Sequence, residues 1–299
     1  AWGKIFDMTS LHESAKRIQL YYWVIVVGTT SGTLLYLAFL PIKKESAQRK
    51  EALLLGLTAL LISPIPFWIT GLDPKLGFPE DRLLLPSALG ASLLLAVIID
   101  LLLKRPILKT IALAMIIGLS AGSHTLNATI YRTAWASTTS FFQQLSTRAP
   151  NLPPHTTILS NQLPGRSTDN SLIAPLNWVY APNTRDGNIP LQLLYVDLRF
   201  GRADTVINED ELTSKAYMQY VFKGSSDQVV TVFYEPPACL QIVDPNKLLR
   251  NIPPPMDTAV PYSKPELIHL GRDLAASLPI FFNTEKAPAT WCDYFQKAD

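Results

Sequence analysis

The chain has 299 residues, of which 48% are hydrophobic and 17% charged, with 24 prolines, two cysteines and a net charge of +2. The charged fraction falls well below the roughly 25% of soluble globular proteins, and together with the proline content it excludes a coiled coil and a charged disordered chain. So small a net charge leaves no concentrated basic face, and no nucleic-acid partner is expected.

The averages conceal a division. Residues 1–129 hold 12 Lys/Arg, 8 Asp/Glu and 7 Pro, whereas residues 130–299 hold 14, 16 and 17. The first region is apolar and sparsely charged; the second has the composition of a water-soluble domain. The expected fold class is therefore an α-helical transmembrane bundle of four spans over 1–129, followed by an extracytoplasmic α/β domain with a mixed sheet over 130–299. The opening Ala1-Trp2-Gly3-Lys4 lacks an initiator Met, and a segment feeding straight into a span predicts the C-terminal part of a longer polytopic protein.

A hydrocarbon core about 30 Å thick requires roughly 20 apolar residues per helix. Four segments meet that length, at about 18–42, 52–72, 83–103 and 107–129. Lys109 falls one turn inside the last and is expected to snorkel to the interface. Loop charges set the orientation. The loop after the first span carries Lys43, Lys44, Arg49 and Lys50 against Glu45, and the turn after the third carries Lys104 and Arg105. Lys/Arg-rich short loops stay in the cytoplasm, so the loop at 73–82, with three acids and two bases, is expected outside together with the whole C-terminal region. Ser63-Pro64-Ile65-Pro66 predicts a kink or break, because each proline removes a backbone donor.

Gly118-Leu119-Ser120-Ala121-Gly122 matches a G-x-S-x-G nucleophile elbow, but that chemistry needs a strand-to-helix turn and these residues lie inside an apolar helix. The same residues form G-x-x-x-G, a spacing that brings membrane helices close, and Gly28-Thr29-Thr30-Ser31-Gly32 repeats it. In the outer loop, Arg82 stands beside the helix start at Leu83-Leu84-Leu85-Pro86, where a guanidinium fork suits a lipid phosphate. Lys75 is a second, weaker candidate. An interfacial anchor paired with Asp81 or Glu80 is the alternative.

Beyond the last span, residues 130–148 continue as an amphipathic helix with Trp135, Phe141, Phe142 and Leu145 on one side, ended by Ala149-Pro150. β-Branched or apolar runs predict strands at 156–159, 192–200, 219–222, 228–234 and 239–243. The turn around Asp227 predicts that the 219–222 and 228–234 runs form an antiparallel hairpin, opening a β-meander. Helices are expected at 171–179, 209–216 and 265–276. Asn177, Trp178 and Tyr180 combine an amide with aromatic rings that carry polar tips, a composition suited to sugar contact as well as to packing. Glu209-Asp210-Glu211 reads as a solvated helix start. Cys239 and Cys292 both fall in the outer region, where disulfides persist; a disulfide and two free thiols both remain open. The four histidines have no ligand spacing, so no metal and no cofactor are expected, and the residues by themselves identify no catalytic group.

Glu80-Asp81-Arg82-Leu83-Leu84-Leu85-Pro86 resembles the basic-residue-plus-Leu-Pro lead-in to a late span in polytopic GT-C glycosyltransferases of the dolichyl-phosphate-mannose type. Arg148-Ala149-Pro150-Asn151-Leu152-Pro153-Pro154-His155-Thr156-Thr157-Ile158-Leu159 resembles the start of the extracytoplasmic C-terminal domain in such bacterial proteins. With Asn170–Pro182 and Tyr234–Leu240, the chain is similar to related uncharacterised Chloroflexota membrane proteins. The resemblance implies a location in the plasma membrane and cell envelope, membrane lipid as a partner, and a polyprenyl-phosphate sugar as donor for a glycosyltransferase. The family's catalytic acid sits in a first outer loop that this chain does not contain, so no catalytic role passes to Asp73, Glu80 or Asp81. The alternative is a non-enzymatic, membrane-anchored envelope domain that binds polysaccharide or a partner protein.

Overall fold

A computed structural model describes residues 9–12, 14–40, 48–72, 83–164, 167–184, 187–197, 221–247, 252–269, 278–282 and 292. The chain divides into two compact units, Ala1–Ile130 and Tyr131–Asp299.

The first unit is helical: α1 (Thr9–His12), α2 (Lys16–Phe39), α3 (Gln48–Ile62), α4 (Ile65–Ile69), α5 (Ser87–Leu102) and the first part of α6 (Pro106–Arg148). Three stretches are long and apolar enough to cross a membrane: Lys16–Phe39, Arg49–Ile69 and Pro106–Arg148. The third expected span, at 83–103, is shorter. Leu83–Pro86 forms a 3₁₀ segment and a turn, and α5 proper has 16 residues, about 24 Å at the helical rise. The proline pair breaks the second stretch as expected, with α3 ending at Ile62 and α4 beginning at Ile65. There the Ser63 and Ser87 hydroxyls bond at 2.7 Å, tying the end of α3 to the start of α5. Gly71, at φ 69°, closes α4 in the left-handed conformation that favours glycine.

Two glycine seams hold these helices. A Cβ on Gly90 of α5 would stand 2.8 Å from the Gly56 carbonyl oxygen and 2.9 Å from the Leu60 nitrogen of α3. Gly122 of α6 packs where a Cβ would meet Val26 Cγ2 at 2.5 Å and Tyr22 Cε2 at 2.8 Å, and Gly118 sits against Thr30 and the Val26 carbonyl of α2. Gly28 and Gly32 have nothing within 4 Å of an added Cβ, so the second G-x-x-x-G takes no part in a seam among the described residues. Lys109 has an ion-pair partner that the sequence alone does not name. Its ammonium pairs with Asp100 near the end of α5, which also pairs with Arg49 of α3. A carboxylate next to an apolar helix end is costly unless paired.

The second unit contains the last turns of α6, β1 (Thr156–Ser160), α7 (Asp169–Tyr180), β2 (Asn188–Ile189), β3 (Leu191–Tyr195), β4 (Val221–Phe222), β5 (Val229–Phe233), β6 (Gln241–Ile242) and α8 (Pro254–Asp257). The main sheet is mixed, in the order β3-β1-β5-β6. Strands β3 and β5 lie parallel to β1, and β6 runs antiparallel to β5 with Val232 opposite Ile242. All residues of β1, β3 and β5 are buried, as in parallel strands covered on both faces. One face places Ile158, Leu193, Tyr195 and Val232 against Phe141, Phe142 and Leu145 of α6 and Leu172, Leu176 and Val179 of α7. The other places Leu159, Leu194, Val229 and Phe233 against Val243, Met256 and Ala259.

The expected hairpin does not form. The turn exists, with the Gln228 N–H donating to the Ser225 carbonyl at 3.1 Å. Its flanks part, however: β4 pairs in parallel with β2 in a separate two-stranded sheet, whereas β5 joins β1. Asp227 instead pairs with Lys264 at 2.7 Å, and that hydrogen-bonded ammonium holds its carboxyl below the usual range. The helix expected at 265–276 is a 3₁₀ turn at Pro265–Leu267 with extended backbone after it, and residues 270–276 lie outside the described residues. So does the expected helix at 209–216, with Glu209, Asp210 and Glu211.

Candidate functional site

In open sheets with parallel strands, ligands bind beyond the carboxyl ends of the strands, where the strand order reverses. Here β1 has β3 on one side and β5 on the other, which sets that position between the ends of β1 and β5. Asn161, directly after β1, bridges it. Its Nδ2 donates to the Tyr234 carbonyl at 2.9 Å, and the Tyr234 N–H donates to its Oδ1 at 2.9 Å. The next residue, Gln162, donates its N–H to Asp197 Oδ2 at 2.8 Å, joining the loops after β1 and β3. Beyond Tyr234 the chain surrounds an open hollow of about 400 Å³ lined by Glu235, Pro236, Pro237 and Ala238. Glu235 is exposed and forms its charged side.

On the other side of β1, the loop leading into α7 carries a buried polar pair. Ser167 and Tyr195 share a hydroxyl–hydroxyl bond of 3.0 Å. Burial, with a smaller contribution from the nearby Asp169 carboxylate, pushes the Tyr195 phenol up to about 12. Asp169, itself buried, opens α7 and accepts the Asn170 N–H at 2.8 Å, the position where an acid complements the helix dipole. A neutral phenol and a carboxylate committed to a helix start serve architecture rather than proton transfer. Among the described residues, no group of three His, Cys, Asp or Glu side chains converges as a metal site.

The sequence-derived candidates separate in the structure. Lys75 and Arg82 lie outside the described residues. Asn177, Trp178 and Tyr180 share α7 but not a surface. Asn177 Nδ2 donates to the Ile173 carbonyl at 2.9 Å and the Leu191 carbonyl at 2.8 Å, and its Oδ1 accepts the Leu191 N–H at 3.0 Å. It thereby pins α7 to the start of β3. Tyr180 donates its hydroxyl to the Ala149 carbonyl at 2.8 Å, and burial raises its phenol far above the ordinary value. Trp178 alone presents a large surface, 52% exposed. Successive helical residues turn by about 100°, so positions 177 and 180 share the inner side while 178 faces out. Cys239 and Cys292 are joined as a disulfide.

His155 also has a structural task. At φ 71° it occupies a conformation uncommon outside glycine. Its N–H donates to the Pro190 carbonyl and its Nδ1–H to the Lys223 carbonyl, each at 2.7 Å. A carbonyl can only accept, so the proton resides on Nδ1; with its backbone N–H and its ring together, His155 ties the start of β1 to the start of β3 and the end of β4.

Sequence reasoning passed over Asn161, Asp197 and Glu235. Their signal is position alone: polar residues within two positions of the ends of buried strands. It becomes readable only once the strands are known to run parallel. No family model, curated protein or solved structure matches the chain.

Proposed function

We propose that this chain belongs to an integral membrane protein of the cell envelope. The stretches α2, α3 with α4, α5 and the first part of α6 are its four spans, and the α/β unit is a domain on the extracytoplasmic side that recognises polysaccharide or a partner protein. The disulfide carries this reading. The only two cysteines of the chain are Cys239 and Cys292, and they are joined to each other. Such bonds persist outside the cytoplasm and are rare within it. The Lys/Arg-rich loops favour the same orientation by an independent route. Exposed Leu20, Phe39, Ile69, Leu102 and Ile107 on the helices supply the apolar surface that a bilayer covers at no cost and water does not. Although short, α5 packs along α3 and carries Leu89, Ile98 and Leu101 outward, which supports its place as a fourth span.

Recognition is favoured over chemistry by the hollow beyond β5, which offers one exposed carboxylate on a proline-lined rim. The resemblance around Arg82 favours a second reading, a transferase using a lipid-phosphate-linked sugar, in which Arg82 and Lys75 hold the phosphate and the catalytic group belongs to another part of the protein. Labelling of intact cells tests the placement. A membrane-impermeant maleimide is expected to modify the chain only after treatment with a membrane-impermeant reductant. Modification that requires cell lysis would place the α/β unit inside and overturn the proposal.

A further inference from the structure

The seam between α2 and α6 is closed along one stretch and open along another. Where Gly118 and Gly122 face Tyr22, Val26 and Thr30, the helices approach closely because no Cβ keeps them apart. Towards the end of α2 the facing residues become large, and the helices part around a groove of about 540 Å³. Leu34, Leu37 and Ala38 of α2 and Pro106, Thr110 and Ile111 of α6 line it. The single hydroxyl there, Thr110 Oγ1, donates back to the Pro106 carbonyl at 3.1 Å, so the groove is predominantly apolar. Its volume falls within the roughly 300–1,000 Å³ of small-molecule sites.

Lys104 and Arg105 directly precede Pro106 and are exposed. Their neighbours Arg49 and Lys109 are paired with Asp100; Lys104 and Arg105 have no ion pair among the described residues. An apolar groove therefore begins where two uncompensated cations stand. An acyl chain matches the groove, and a phosphate in the same molecule matches the cations, whereas a further apolar helix would bring no negative charge. We propose that this groove is the binding site of one anionic glycerophospholipid, its phosphate held by Lys104 and Arg105 and one acyl chain lying between α2 and α6. The inference rests on the membrane reading above.

Native mass spectrometry of the full chain in mild detergent, titrated with phosphatidylglycerol or phosphatidylcholine, tests it. One phosphatidylglycerol should be retained at least about tenfold more tightly than phosphatidylcholine, given about 1 kcal/mol per basic residue near an anionic surface. The exposed double substitution Lys104→Gln with Arg105→Gln should abolish the preference, and Ala38→Phe, which fills the groove, should weaken retention of both lipids. Equal retention of the two lipids overturns the proposal. So does a preference that survives the double substitution, undiminished retention by Ala38→Phe, or a lipid-free dimer. Failure of the membrane reading has a separate signature, a chain that stays in solution without detergent.

Discussion

Asn177 commits its amide to the fold: both hydrogens of Nδ2 and the Oδ1 oxygen bond to backbone groups of α7 and β3. Replacing it with leucine leaves the Leu191 N–H and carbonyl without these partners at a half-buried position. An unsatisfied group of this kind costs about 1–3 kcal/mol. Asn177→Leu is therefore expected to lower the denaturant midpoint of the purified protein, whereas the equally conspicuous Trp178→Ala removes an exposed ring and should shift it little. Equal midpoints for the two variants would refute the structural assignment of Asn177. Composition places Asn177, Trp178 and Tyr180 in one group. Helical periodicity separates them, because Leu172, Leu176 and Val179 mark the buried side. That much is readable from the residues, but the carbonyl that receives the Asn177 amide belongs to a strand 14 positions later, and no local pattern points to it.

At the scale of elements, two identical glycine spacings have different fates. Gly118 and Gly122 face α2 across a seam, while a Cβ added at Gly28 or Gly32 meets nothing within 4 Å among the described residues. An added methyl at 118 would come within 2.8 Å of the Val26 carbonyl oxygen, and overpacking of this kind costs about 1–3 kcal/mol. Gly118→Ala should lower the thermal midpoint in detergent. Gly28→Ala, the same chemical change, should leave it level or raise it through helix propensity; the reverse order would dismiss the seam. The motif was legible and its partner was not, since helix faces are matched only when the helices meet. The strands carry the same lesson. The run at 228–234 and its turn are visible in the sequence, yet β5 pairs with β1, some 70 residues earlier, instead of with the adjacent β4. Burial of every side chain in β1, β3 and β5 removes the alternation that distinguishes a half-exposed hairpin from a central parallel strand.

For the molecule as a whole, the disulfide is the one covalent cross-link. It closes a separation of 53 residues in the second unit, and the chain-entropy treatment assigns about 4 kcal/mol to a loop of that length. Reduction should therefore lower the unfolding midpoint of the β-sheet signal, and the seams of the first unit should not respond. Coincident loss of both signals would mean that the two units unfold as one. The sequence by itself determined the division into an apolar helical half and a mixed α/β half, the membrane-length helices, the proline break and the identity of the only cysteines. Those follow from composition, periodicity and backbone chemistry that act within a few residues. Only the tertiary structure decided which glycines form seams, that Lys109 pairs with Asp100, that three strands run parallel, and that Asn177 and Tyr180 turn inward. Each of those outcomes depends on a partner in another element, chosen by the competition to bury apolar surface while leaving no buried polar group unpaired.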